Sequence, residues 1–200
     1  GGREAGEAHL EGLSKKKQRH FLNQELKGIG SGSSQRVKAE RHLPMRVVDV
    51  NRTVKVTKSG SLMRFSATVV CGNEKGLAGF GRGKAAEVSV AIDKAYARAE
   101  GNLQFFELYR GHTIYHDTEG RLGGTRVLLR PAPSGTGVQA NKVIKAVCEM
   151  AGIKDLKGKV VGSTHPVNML KAAFGALERV RTPEEVGEAR GVQFREVIDA

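Results

Sequence analysis

Apolar and polar positions alternate along residues 62–71, which predicts a β-strand with one face packed and the other open. Residues 73–76, Asn-Glu-Lys-Gly, have the chemistry of a tight turn, because Asn and Gly tolerate positive φ. A short returning strand is predicted at residues 77–80. It runs into a glycine-rich, basic sequence at residues 81–84, Gly-Arg-Gly-Lys.

After residue 87 the apolar period lengthens to that of an amphipathic helix. The predicted apolar stripe consists of Val88, Ala91, Ile92, Ala95 and Ala99. The predicted order is therefore a hairpin, then a glycine-rich corner, then a helix. Glycine lets a backbone approach something bulky, and Arg82 with Lys84 indicates that the bulky group is anionic. The alternative is a structural corner whose cations are only solvated.

An upstream strand is predicted from residue 45 to residue 56, interrupted at Asn51-Arg52, with a turn at residues 58–61. The first half is thus expected to be β-β-β-α, three antiparallel strands with a helix across one face. In the second half we predict a strand at 125–130, a helix at 138–151, a strand at 159–161 and helices starting near Pro166 and Thr182.

Several loops offer alternatives to plain turns. The glycines of residues 81–84 do not form a nucleotide loop, since Ala85 stands where that motif needs Ser or Thr. His112, His116 and Asp117 could suggest a metal, but their surroundings favour an ordinary connecting strand. Residues 134–137, Ser-Gly-Thr-Gly, are either a cap and turn or an anion-binding nest at a helix start.

Composition restricts the classes of partner. The 200 residues carry 33 Lys and Arg against 21 Asp and Glu, a formal net charge of +12 that favours a polyanion. No Trp and few aromatic residues make base stacking a poor explanation, so backbone and groove contacts are expected. No apolar run is long enough for a membrane span. Cys71 and Cys148 are expected to be buried apolar side chains.

Three ordered motifs carry a family resemblance. CGNEKGLAGFGRGKAAEVSVAIDKA, RPAPSGTGV and AGIKDLKGKVVGSTHPVNMLKAAFGAL resemble the S-five family of small-subunit ribosomal proteins, over roughly residues 45–198. NRTVKVTKSGS lies where that family carries its NR…K…KGGR loop, associated with rRNA contact. Ser59 and Ser61 replace the usual Gly and Arg of that loop, and His165 stands where Asn is usual.

The resemblance implies an α+β fold, in which a β-β-β-α double-stranded-RNA-binding-like module precedes a β-α-β-α C-terminal domain. The implied divisions are a basic extension (1–44), the RNA-binding-like domain (45–110), the C-terminal domain (111–182) and a tail (183–200). The implied function is structural, not enzymatic: binding small-subunit rRNA near the mRNA entry and decoding region, and supporting accuracy. The alternative is a free-standing double-stranded-RNA-binding regulator.

The expected partners are small-subunit rRNA, the S-four and S-eight neighbours and mRNA at the entry path, with no membrane, cofactor, metal or catalytic residue. The candidate RNA-binding residues are Asn51, Arg52, Lys55, Lys58, Ser59, Gly60, Ser61, Arg64, Arg82, Lys84, Arg121, Arg126, Arg130 and Lys142. The segment ELYRGHTIYHD looks like the mitochondrial members of the family, so the mitochondrial matrix is the expected location. A plastid or the bacterial cytoplasm is the alternative.

Overall fold

The computed structural model describes residues 42–191, so residues 1–41 of the predicted extension and residues 192–200 of the predicted tail lie outside the described part. The first half contains β1 (Met45–Thr57), β2 (Gly60–Gly72), β3 (Leu77–Ala85), α1 (Val88–Glu100) and β4 (Leu103–Phe105). The second half contains β5 (Thr118–Leu122), β6 (Thr125–Pro131), β7 (Val138–Gln139), α2 (Lys142–Ala151), β8 (Leu156–Gly162), α3 (Pro166–Glu178) and α4 (Pro183–Arg190). The predicted α+β class is confirmed.

The first sheet has the order β1-β2-β3-β4, and all its neighbouring strands are antiparallel. Three of its strands were predicted; β4 is only three residues long and has no alternating pattern of its own. The predicted interruption of β1 at Asn51-Arg52 was wrong, because both residues pair with β2. The irregularity lies instead between Val47 and Asp49, where Val48 is an extra residue of a β-bulge.

The glycine-rich sequence is not a corner, because β3 continues to Ala85. Gly79, Gly81 and Gly83 all face α1. A Cβ placed on them would lie 2.4, 2.2 and 2.1 Å from backbone oxygens of that helix, distances that real Cβ atoms do not show. The bulky group that these glycines admit is therefore α1 itself and not an anion. The prediction that glycine and cations served one ligand was wrong, since alternate residues of a strand point to opposite faces.

The second sheet has the order β5-β6-β8-β7, with β7 parallel to β8. The helix predicted from residue 138 begins later, because Val138 and Gln139 form β7. The Asn141 side chain caps α2 by accepting a hydrogen bond from the Val143 N–H at 3.1 Å. Gly152 ends the helix with φ +82°, a left-handed conformation that glycine adopts readily.

One hydrophobic core joins the two halves. α1 covers one face of the first sheet, and α2 packs against the other face and against the second sheet. Val70 and Ala78 of the first sheet belong to the same buried cluster as Val127 and Leu156 of the second. The Phe80 and Phe174 rings, 4.8 Å apart, connect the first sheet to α3 within this cluster. The two sheets and the helices between them therefore form one packed unit.

Candidate nucleic-acid interface

Strand register places four candidate cations on one face of the first sheet. Residues paired directly across antiparallel strands share a face: Ser66 pairs with both Asn51 and Lys84, and Thr68 pairs with Arg82. Arg64 and Lys55 fall on the same face by the two-residue alternation of β2 and β1. All four cations are exposed. We call Lys55, Arg64, Arg82 and Lys84 the first cationic surface.

The packing of α1 determines from which side of the sheet these cations project. The glycines of β3 turn toward α1, so Arg82 and Lys84, which alternate with them, point away from it. The Arg98 side chain of α1 donates a hydrogen bond to the Arg82 backbone oxygen at 2.5 Å, which fixes the strand without using the Arg82 guanidinium. Arg82 and Lys84 are therefore held by a strand whose other side is packed against α1.

The turn between β1 and β2 lies at the exposed end of this hairpin. Gly60 has φ +131°, and nothing lies within 4 Å of where its Cβ would be, so the turn needs glycine for conformation and not for space. The Thr57 hydroxyl donates to the Gly60 oxygen at 2.8 Å and lies 3.4 Å from the Ser59 hydroxyl. Lys58 is exposed at this tip. The tip presents a cation on an internally hydrogen-bonded turn.

Two candidates of the same loop lie on the opposite face. Arg52 pairs with Phe65 and Ser61 pairs with Val56, which places both on the side of the sheet that α1 covers further along. Arg52 is exposed, because α1 does not reach this part of the hairpin. The structure therefore does not bring Arg52 into the first cationic surface, although Asn51 beside it does belong to that face.

A second group of candidates lies on the outer face of the second sheet. Arg121 and Arg126 pair directly, and Arg130 shares their face by alternation along β6. Arg126 forms an ion pair with Glu119, and the Arg130 Nε lies 3.3 Å from the Asp117 carboxylate. The hydrogen bond from Arg126 holds the pKa of the Glu119 carboxyl below its ordinary value.

Sequence reasoning missed two cations on this outer face. Lys157 pairs with Arg130, and Lys159 is two residues further along the same strand. The predicted strand at residues 159–161 was too short; β8 spans Leu156–Gly162, so both lysines lie within it. The alternation of lysine with smaller residues in LKGKVVG was the available signal.

The glycine-rich turn before α2 is hydrogen-bonded within the chain. The Gly137 N–H donates to a carboxylate oxygen of buried Asp155 at 2.8 Å, and the Thr136 N–H donates to the Pro133 oxygen at 3.2 Å. The N–H groups of Thr136 and Gly137 are thus used within the chain, and α2 begins only at Lys142, which favours the cap-and-turn interpretation over an anion-binding nest. Lys142 is the exposed first residue of α2 and belongs to neither sheet face.

The histidines of the connecting segment have structural contacts. His116 accepts a hydrogen bond from the Arg181 N–H through Nε2 at 3.1 Å, and its Nδ1 lies 2.9 Å from the Asp117 oxygen. Residues 111–117 form turns with one isolated bridge, so the connecting strand predicted here was wrong. Between residues 42 and 191 no three His, Cys, Asp or Glu side chains group in a way that could hold a metal ion.

Burial raises the pKa of both the Cys71 and the Cys148 thiols to about 12, so both remain protonated at neutral pH. This agrees with their interpretation as buried apolar side chains. In the same described range, no helix has the length and apolar composition that crossing a membrane requires.

Comparison with known proteins identifies related chains on both halves. Residues 43–107 match the family model "Ribosomal protein S5, N-terminal domain", and residues 120–190 match "Ribosomal protein S5, C-terminal domain". The small ribosomal subunit protein uS5 of Hyphomonas neptunium is 44% identical over 153 residues, which cover 76% of each chain. The protein of the same name from Mesorhizobium japonicum is 45% identical over 149 residues, covering 74% of this chain and 80% of that one. Because both halves match in order and the relatives align across most of both lengths, the chain belongs to the ribosomal protein S5 (uS5) family, which is the S-five family that its motifs resemble.

Proposed function

We propose that this protein is a structural constituent of the small ribosomal subunit and that it holds small-subunit rRNA through the first cationic surface and the hairpin tip. The observation that carries the proposal is the alternation along β3, where glycines admit α1 on one side and Arg82 and Lys84 project on the other. Membership of the uS5 family supports the ribosomal role. The role is one of binding and positioning, not of catalysis.

The charge arrangement suits a phosphate backbone. Lys55, Arg64, Arg82 and Lys84 come from three neighbouring strands, which lie about 4.8 Å apart, so their side chains can reach adjacent phosphates together. Each phosphate that a cation neutralises releases condensed counterions, so affinity should fall steeply as salt rises. Lys58 at the tip would extend the contact beyond the sheet.

The other candidate residues of the first sheet are expected to contribute to RNA binding in different ways. Asn51, Ser59, Gly60 and Ser61 shape the loop and offer hydrogen bonds, while Arg52 would contact RNA only if the RNA passes on both sides of the hairpin. The proposed RNA-binding-like part (45–110) and the C-terminal part (111–182) share one core, which favours a fixed orientation of their surfaces.

We further propose a position near the mRNA entry and decoding region, next to the S-four and S-eight proteins, with an effect on accuracy. The support is the ordered match of the loop and PAPSGTGV motifs to the family pattern. The proposed compartment is the mitochondrial matrix, supported by the HTIYHD segment. The relatives named above are bacterial, so a bacterial cytoplasm or another organelle remains the alternative.

Sucrose-gradient sedimentation of a mitochondrial lysate at moderate and high salt tests the proposal, with the chain detected by blotting. We expect co-migration with small subunits at both salts. Migration only at the top of the gradient would contradict the ribosomal role and favour a free RNA-binding regulator. Migration with small subunits of another compartment would keep the function and correct the location.

A charge variant makes the gradient test specific to the surface. Replacing Lys55, Arg64, Arg82 and Lys84 together by Gln should reduce the fraction that sediments with small subunits at high salt. The matched control replaces four other exposed cations, Lys75, Lys94, Lys145 and Lys171, none of which lies on the cationic face of the first sheet. Equal losses in both variants would show a general charge effect and contradict the assigned surface.

A further inference from the structure

We propose that the outer face of the second sheet is a further RNA-binding surface, which lies across the minor groove of duplex RNA and uses Lys157 and Lys159. The proposal rests on the proposed rRNA-binding role but concerns residues on a different sheet. We call Arg121, Arg126, Arg130, Lys157 and Lys159 the second cationic surface.

This face of the second sheet is open. Val127, Leu129 and Leu156 turn inward and belong to the core formed with α2 and α3. The residues that alternate with them turn outward; Val161 is 45% exposed, and the five cations of the second cationic surface are all exposed. A sheet with one packed face and one open, cationic face presents a charged platform to solvent.

The register arranges the cations in rows. Arg121 and Arg126 form a pair at one end of the face, and Arg130 and Lys157 form a pair at the other end. The two pairs are four residues apart on β6, which is about 13 Å in an extended strand. Lys159 lies in the row between them, opposite Leu128. One pair of cations therefore lies on each side of a central row that contains Lys159.

That arrangement matches a duplex better than a single strand. The five cations share the platform with Leu128, Val161 and Glu119, and no aromatic side chain stands on β5, β6 or β8 to stack on an unpaired base. The A-form minor groove is wide and shallow, and phosphates border it on both sides. We therefore assign the paired cations to the two phosphate lines and Lys159 to the groove between them.

Two carboxylates orient the arginines without neutralising the face. Glu119 pairs with Arg126, and Asp117 lies within 3.3 Å of Arg130. Lys157 and Lys159 carry flexible ammonium groups, which can follow a phosphate backbone. Arginine held by a carboxylate is partly preorganised, so it loses less side-chain freedom when phosphate binds.

The second cationic surface is separated from the first by the layer of α2 and α3 and by the shared core. A stretch of RNA backbone that contacts the second cationic surface therefore does not contact the first cationic surface at the same time. The contributions of the two surfaces to binding should therefore be additive, since residues without shared contacts rarely couple.

The test uses the full chain and a duplex RNA of arbitrary sequence and about 16 base pairs, the span of a double-stranded-RNA-binding domain. Binding is measured over a series of salt concentrations. The Lys157→Gln/Lys159→Gln variant should lower the slope of log affinity against log salt by about 2, roughly one for each lost phosphate contact. The control Lys145→Gln/Lys171→Gln removes the same charge from exposed helix positions and should leave the slope unchanged.

A second readout locates the contact without any substitution. Acetylation of surface lysines, read by mass spectrometry, should be reduced by the duplex at Lys157 and Lys159 but not at Lys171. Equal thermal unfolding midpoints of the variants and the unmodified chain would show that folding is unaffected, as expected for exposed positions.

The outcomes separate this inference from the proposed function. An unchanged slope together with unprotected Lys157 and Lys159 would overturn the second surface, while loss of binding on neutralising the first surface would leave the proposed function intact. If the lysine variant loses affinity for polyglutamate and not for the duplex, the face binds an acidic protein and the inference is wrong. Equal loss of affinity for single-stranded and duplex RNA would overturn the minor-groove assignment.

Discussion

The inner and outer parts of the first sheet are built from the same strands but have opposite surroundings. In β2, residues 66–72 are buried on both faces, whereas residues 60–64 are exposed on both faces. The inner part lies between α1 and the core of the second half, but the outer hairpin extends past both. Val70 is fully buried, while Val56 is 81% exposed. The comparison shows that alternation determines a strand, but neighbouring elements determine whether its faces are buried.

The outer hairpin keeps its shape without a core. Its valines favour extended backbone and pack across the strands, which stabilises a sheet even where burial is slight. Its cations then project from a regular ladder of hydrogen bonds. The inner part positions the hairpin, and the hairpin presents Lys55, Lys58 and Arg64 next to Arg82 and Lys84 of β3.

The largest expected effect comes from changing the inner part at Gly81. In Gly81→Ala the added Cβ would meet the Ala95 oxygen at 2.2 Å, so α1 must move away from the sheet. We expect a loss of about 3 kcal/mol or more in the free energy of unfolding, measured by urea denaturation.

Gly175→Ala is the matched control for Gly81→Ala. Gly175 lies within α3 with open space around it, so alanine should stabilise the chain by up to about 1 kcal/mol through helix propensity. Similar effects of the two substitutions would contradict the close packing of α1 on β3.

A pair of valine truncations tests burial directly. Val70→Ala removes two buried methyl groups from the shared core and should destabilise the chain by about 2 kcal/mol. Val56→Ala at the exposed hairpin should change the stability by less than about 0.5 kcal/mol. A large loss at Val56 would mean that the hairpin is packed against something in the free chain.

A third prediction separates the two faces of the first sheet. Arg64→Gln/Lys84→Gln should lower the salt slope of binding to small-subunit rRNA by about 2. Affinity near physiological salt should fall by about tenfold, with stability unchanged. Arg52→Gln, on the other face, should leave the slope nearly unchanged. Equal slopes for the two variants would mean that RNA contacts both faces of the hairpin.

The smallest expected effect is at the junction between the halves. Arg46 of β1 donates a hydrogen bond to Glu149 of α2 at 2.5 Å, with side chains 55% and 29% exposed. A double-mutant cycle with Arg46→Met and Glu149→Gln should give a coupling below about 1 kcal/mol, because water screens exposed pairs. A larger coupling would mean that ion pairing, and not the apolar core, fixes the halves together.

Local patterns predicted the elements with strong periods. The hairpins at residues 58–61 and 73–76, the helix after residue 87 and the helix starting at Pro166 are all present. Short elements were missed or misplaced. β4 and β7 have three and two residues, too few to show a period, and both exist because a neighbouring strand offers hydrogen bonds.

The sequence indicated which residues are candidates for RNA binding, but not which of them lie on the same surface. Glycine and cations were read as parts of one anion-binding corner because they alternate in sequence. The strand separates them onto two faces, one for α1 and one for the exposed cations. Lys157 and Lys159 were missed for a related reason: their significance depends on pairing with β6, which is distant in sequence.

The sequence by itself determined the positive charge, the alternation of the main strands, the turns that need glycine or asparagine and the family to which the chain belongs. These follow from local steric preferences, from side-chain chemistry and from ordered motifs. Only the tertiary structure decided which face of each strand is buried, which cations share a surface and what the glycines of β3 admit. Those properties depend on contacts between residues far apart in the chain, and no local period encodes them.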